Sequence, residues 1–167
     1  MTDVQPRAAT LTTAEELWRM GSGGRRFELV RGRLVERRSP TGWGRGRTVV
    51  RLVARLDEHV SRAGLGAVTT ETGFVLARDP DLVRGPDLAF LAAGREEARD
   101  SNGFVGLAPD LAIEVVSPSD TYTEVLAKVE EYVDHGVREV WVVDPQRRRV
   151  VVQRPGAPPR TSPRTTS

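Results

Sequence analysis

Two apolar stretches of this chain each carry a carboxylate where a strand interior would normally have none. Residues 86–91 read PDLAFL and residues 111–117 read LAIEVVS, with Asp87 and Glu114 inside them. Short apolar runs of this length have the pattern of buried strands. A carboxylate in such a strand is costly unless it is paired or binds something. If the two strands are neighbours, both side chains can point to one face and hold one divalent cation between them. Magnesium suits that arrangement, because it binds through one or two carboxylates and keeps several waters. Asp110 shares the parity of Glu114, but four residues along one strand separate them by roughly 13 Å, too far to share an ion. Plainer explanations stand beside this one. Asp87 can be a strand-start residue satisfied by a backbone amide, and Glu114 can be the buried partner of an arginine.

The rest of the chain supplies a mixed α/β frame. Thr12 or Thr13 can cap a short helix to about Met20, with Glu15 or Glu16 completing a capping box. FELVRGRLVERR reads as a hairpin turning at Arg31-Gly32. SPTGWGRG reads as a loop. From Arg47 to about Arg62, Val49, Val50, Val53, Leu56 and Val60 recur at helical spacing, and Gly64 ends the element. Short strands are expected at 66–71 and 73–78, then the two carboxylate-bearing strands. SPSD opens a helix over about 120–135 that Gly136 stops. REVWVVD and RRRVVVQ form a closing hairpin around Asp144-Pro145. The whole predicts one mixed sheet with helices packed on it, an α/β (α+β) domain over residues 10–153. Residues 1–9 are expected to be flexible. The stretch 154–167, RPGAPPRTSPRTTS, has the composition of a disordered tail.

Composition narrows the chemistry. The chain has 167 residues, no cysteine and two histidines, which excludes disulfides and thiolate metal sites and disfavours histidine-based zinc. No apolar run approaches a membrane span and the N-terminus lacks a secretory core, so a cytoplasmic protein with no membrane partner is expected. No GxxxxGK[ST] loop is present, which argues against an ATP-driven function. Among 25 basic residues only Lys128 is a lysine. Arginine stays charged, whereas lysine is a compact charge able to lose a proton when its surroundings demand it. Lys128 lies one helix beyond Glu114, beside the apolar stripe, where it can snorkel towards the strand carboxylates. An ion pair with Glu124, four residues earlier, is the ordinary alternative.

Taken in order, VRGPDLAFL, APDLAIEVVSPSDT, KVEEYVDHGV and REVWVVDP, together with LTTAEELWRM and FELVRGRLVER, resemble the PD-(D/E)XK nuclease superfamily. The likeness is closest to its Uma-two-like branch of restriction endonucleases and covers roughly residues 10–153. The superfamily places a lysine two positions after the strand glutamate, where this chain has Val116. In the Uma-two-like branch the lysine comes from the following helix, at the position of Lys128. The resemblance implies a restriction-endonuclease-like core. It also implies a magnesium- or manganese-dependent endonuclease acting on phosphodiester bonds in DNA. Asp87, Glu114 and the main-chain carbonyl of Val115 would bind the metal. Lys128 would orient or deprotonate the attacking water or stabilise the phosphate. Glu28 matches the glutamate of the family's hairpin and would help the site, unless it only pairs across strands with arginine. Arg45, Arg47 and Ser117 are candidate contacts to nucleic-acid phosphates. Enzymes of this architecture pair as homodimers to cut two strands, although the sequence marks no interface. A nuclease-like domain that binds nucleic acid or protein without cutting is the competing reading.

Overall fold

The computed structural model describes residues 11–21, 25–37, 42–95 and 103–162, so the expected flexible segment 1–9 lies outside the described residues. Helix α1 (Ala14–Met20) opens with a complete capping box between Thr13 and Glu16. Strands β1 (Arg26–Val30) and β2 (Arg33–Arg37) form the expected hairpin, with Glu28 opposite Val35 and Arg26 opposite Arg37. Helix α2 (Trp43–Arg62) begins four residues before the expected Arg47. Gly44 and Gly46 weaken that first turn, but Arg45 anchors it by donating to the Val115 carbonyl at 2.7 Å. Strands β3 (Gly66–Thr70), β4 (Phe74–Ala77), β5 (Leu82–Arg84), β6 (Leu88–Ala92) and β7 (Leu111–Val115) follow, then α3 (Tyr122–Asp134). Thr121, not Asp120, caps α3 through a box with Glu124. The Asp120 carboxylate instead accepts from the Ser117 amide at 2.8 Å, closing the turn before the helix.

The strands form two sheets where the sequence predicts one. A four-stranded sheet has the order β2-β1-β5-β4, and a six-stranded mixed sheet has the order β10-β9-β8-β7-β6-β3. In the larger sheet β7 runs parallel to β8 (Glu139–Asp144), and the other pairs are antiparallel. Strand β5 makes the second sheet possible and was not expected. It is three residues long, too short to show a period, and its buried Arg84 interrupts any apolar pattern. Strand pairing also continues past residue 153. Strand β9 (Arg149–Gln153) pairs with β10 (Arg160–Thr161), inside the stretch expected to be a disordered tail. Backbone pairing there needs no apolar side chain, so composition does not reveal it. Residues 163–167 of that tail lie outside the described residues.

The large sheet is covered on both faces. Leu88, Ile113, Val115 and Val143 pack against Val49, Leu52, Val53 and Leu56 of α2. On the opposite face, Ala112 and Val140 meet Val129 and Tyr132 of α3. The smaller sheet reaches that same face through Phe74, which packs on Ala89 and Leu91. Helix α1 closes the outside of the smaller sheet with Ala14 and Leu17 on Leu29, Val75 and Val83. A cleft remains between the two sheets, bounded by the start of α2 and the first turns of α3.

Candidate active site

Strand register brings the two carboxylates together. Leu88 pairs with Ile113 across the antiparallel β6–β7 ladder, so the preceding Asp87 falls opposite Glu114. Both side chains are buried on the cleft face. The amide of Val115 donates to Asp87 Oδ2 at 2.7 Å. One nitrogen of Arg37 lies 3.2 Å from Asp87 Oδ1 and 3.9 Å from Glu114 Oε2, so both carboxylates converge on one cationic point. Arg37 also lies 3.6 Å from Glu28.

Glu28 completes the cluster from β1. It accepts from Arg84 at 2.7 Å and from the Gly85 amide at 3.0 Å. Arg84 in turn bonds Glu131 of α3 at 2.6 Å, so one guanidinium ties β5 to β1 and to the helix carrying the lysine. Glu28 therefore pairs with arginine, as its ordinary explanation requires, but it does so inside the cleft rather than on an exposed hairpin.

Lys128 points into the cleft. Its Nζ lies 3.4 Å from both oxygens of Glu114 and 3.8 Å from Glu28. Tyr132, one helical turn further along, is fully buried and donates its hydroxyl to Glu114 Oε1 at 2.8 Å. Burial opposes the charge of Glu28, but Lys128, Arg37, Arg84 and the Gly85 amide together hold its carboxyl below the ordinary range. Glu114 shifts the other way. Burial pushes its carboxyl up, Asp87 and Glu28 add to that push, and Lys128 and Arg37 only partly offset it. Burial and the nearby Glu114 also raise the Tyr132 phenol well above its ordinary value, so it remains a donor.

Arg45 sits deeper than a phosphate contact on a helix surface. It donates to the Val115 carbonyl and also bonds Asp87 Oδ1. Two of the three expected metal-ligand groups thus already turn towards one cation. Among the described residues no group of three or more histidine, cysteine, aspartate or glutamate side chains forms a metal cage. Magnesium needs no such cage, since one or two carboxylates and water suffice. Asp87, Glu114 and the Val115 carbonyl are oxygen donors of that kind, and Arg37 and Arg45 now hold them. Asp110 is engaged elsewhere, accepting from the Ala92 amide at 2.8 Å and pairing with Arg95 at 2.6 Å.

The cleft has a volume of about 420 Å³, and Ser117 and Val116 line it together with Lys128. Ser117 Oγ lies 2.9 Å from Ser119 Oγ. Arg47 is exposed on α2 and does not line the cleft. Sequence reasoning missed Arg37, Arg84 and the role of Tyr132. Hairpin register places Arg37 on the face of Glu28, and Tyr132 is four residues from Lys128, so both were within reach of pattern. Nothing marked Arg84, because its strand was not recognised.

This geometry is a charged cleft at the end of a mixed sheet, flanked by helices, and other proteins share the frame. A solved structure from Anabaena variabilis, described as "a putative nuclease belonging to DUF820", matches with a TM-score of 0.75 over 89% of this chain and 83% of its own. The two are 22% identical, and the likeness establishes a nuclease-like fold. Residues 14–166 match the Uma2 family model, described as "Putative restriction endonuclease". The chain belongs to that family. No curated protein matches the sequence. No helix among the described residues is long and apolar enough to cross a membrane.

Proposed function

We propose that this chain is a magnesium- or manganese-dependent endonuclease that hydrolyses phosphodiester bonds in DNA, acting in the cytoplasm as a homodimer. The observation that carries the reading is the position of the only lysine, with its Nζ 3.4 Å from Glu114 and 3.8 Å from Glu28. Asp87, Glu114 and the Val115 carbonyl would hold the metal. When bound, such an ion supplies charge stabilisation at a phosphoryl oxygen and lowers the pKa of water. Lys128, held as an ammonium between Glu114 and Glu28, orients the attacking water and stabilises the charge that develops on the phosphate. Arginine is a poor substitute, because its planar fork cannot place one compact charge at that point. Glu28 fixes the ammonium from the far side of the cleft. Ser117 lines the same cleft and is placed to donate to a phosphate oxygen. Arg45, once displaced, and Arg47 on the same helix supply positive charge towards the DNA backbone.

A second reading keeps the fold and drops the chemistry, giving a nuclease-like domain that binds nucleic acid or protein. Arg37 and Arg45 favour it, since both already bond the carboxylates. Cleavage of plasmid and single-stranded DNA in Mg²⁺ or Mn²⁺ separates the two. The nuclease reading expects cutting by the wild type and its loss in Asp87→Ala, Glu114→Ala and Lys128→Ala. Equal cutting by the variants, or none by the wild type, removes it.

A further inference from the structure

A second cavity, of about 390 Å³, opens beside the catalytic cleft. Glu28 and Arg37 line both, so the two spaces meet at those side chains. The second space differs in character. Its walls carry Trp18 from α1, Phe27 from β1 and Phe104 from the segment before β7. Trp18 and Phe104 meet edge to face, with ring centroids 5.2 Å apart. Trp18 is nevertheless 45% exposed, so much of its indole is not covered by the protein.

The backbone makes room for this arrangement. A Cβ on Gly73 would lie 2.3 Å from the Phe104 ring, so the ring rests directly on the glycine. Three guanidinium groups, of Arg25, Arg26 and Arg37, line the space with the aromatics, against the two carboxylates Glu28 and Glu71. The Arg25 guanidinium stands 5.6 Å from the Phe27 ring centroid. Arg26 is half exposed at the rim, where it pairs with Glu71. Aromatic faces edged by arginine are what a nucleic-acid strand needs for stacked bases and a tracked backbone. Inside a duplex both faces of a base are covered by its stacked neighbours, so only a base unstacked from a duplex can stack here.

We infer that this aromatic cleft is a nucleobase subsite, taking an unpaired base of the strand whose phosphate lies in the neighbouring catalytic cleft. The inference rests on the nuclease reading and refines its substrate to single-stranded or locally unpaired nucleic acid. Charge complementarity and continuity with the catalytic cleft favour a base over an apolar protein segment.

The test separates base from phosphate. Fluorescence anisotropy compares an oligothymidylate with an abasic oligomer bearing the same number of phosphates, with EDTA present to prevent cleavage. The wild type is expected to bind the oligothymidylate about tenfold or more tightly, the scale of stacking on an aromatic side chain. Trp18→Ala and Phe104→Ala are expected to bring that ratio towards one. Damaged folding would weaken both oligomers alike and leave the ratio intact. The wild-type comparison needs no variant, so it stands even if both fail to fold. Equal affinity of the wild type for the two oligomers overturns the subsite and leaves the cleft to a protein side chain. That result does not touch the nuclease reading, which the cleavage assay decides. Absence of binding to either oligomer also overturns the subsite.

Discussion

Glu28 meets three cations and a backbone amide, whereas Glu114 meets two carboxylates as well as its cations. Two acids in one cleft therefore contribute with opposite sign. The Glu28 carboxyl titrates below its ordinary range, so its charge stabilises the fold above that range, and the contribution is lost as pH falls through the lowered value. The Glu114 carboxyl titrates above its ordinary range, so its contribution declines as pH rises from the ordinary value through the raised one. Urea unfolding at pH 7.5 should find Glu28→Gln destabilised by about 3 kcal/mol, since buried Arg84 is left with only the part-buried Glu131 as its anion. Glu114→Gln should be no less stable than the wild type, and the Glu28→Gln deficit should shrink below the ordinary carboxylate range. An equal loss in both variants would refute the asymmetry. Lys128 offers a sharper separation of charge from geometry. Lys128→Arg retains a cation beside Glu114 but replaces the compact ammonium with a planar fork, and its cleavage rate should fall about a hundredfold or more, as for Lys128→Ala. Recovery of activity by the arginine would reduce Lys128 to a charge of no particular shape.

At the scale of elements, Arg84 ties three separate parts of the fold together. It lies on β5, bonds Glu28 of β1, and bonds Glu131 of α3. Its removal takes one partner from Glu28 and one from Glu131, and loosens the helix that carries Lys128. Arg84→Met is expected to cost about 3 to 5 kcal/mol in urea unfolding. Arg84→Lys should recover little of it, because one ammonium cannot replace a planar fork bonded on two sides. Full recovery by lysine would show that charge alone holds the three elements. The same residue marks the limit of what the sequence discloses. Long periodic elements are legible: α3 follows from the stripe Val125, Leu126, Val129, Tyr132 and Val133, and the hairpin follows from its Arg31-Gly32 turn. The pairing of Asp87 with Glu114 is legible too, because an acid in an apolar strand demands a partner. β5 is not, since three residues carry no period and its arginine is buried only by contacts distant in sequence. The first turn of α2 is hidden for a related reason, because local glycines argue against a helix that Arg45 anchors through Val115 and Asp87.

For the molecule as a whole, the cleft is where separate parts converge. Glu28 and Arg37 come from the smaller sheet, Asp87 and Glu114 from the larger, Arg45 from α2 and Lys128 from α3. A cation bound at Asp87, Glu114 and the Val115 carbonyl would bind only when β6 and β7 are paired in the larger sheet, and its binding energy would add to the stability of the fold. Mn²⁺ at a hundred times its dissociation constant stabilises a one-site protein by about 2.7 kcal/mol. For a domain of this size that raises the melting temperature by about 5 to 10 °C. Asp87→Asn should abolish the rise. Arg45→Ala should act in the opposite direction, since Asp87 Oδ1 and the Val115 carbonyl are then released from the guanidinium. The variant should start from a lower melting temperature and respond at lower Mn²⁺ than the wild type. A wild-type melting temperature that does not move with Mn²⁺, together with an unresponsive Arg45→Ala, would mean that arginine is the permanent cation of this cleft. The binding-only reading would then replace the nuclease one.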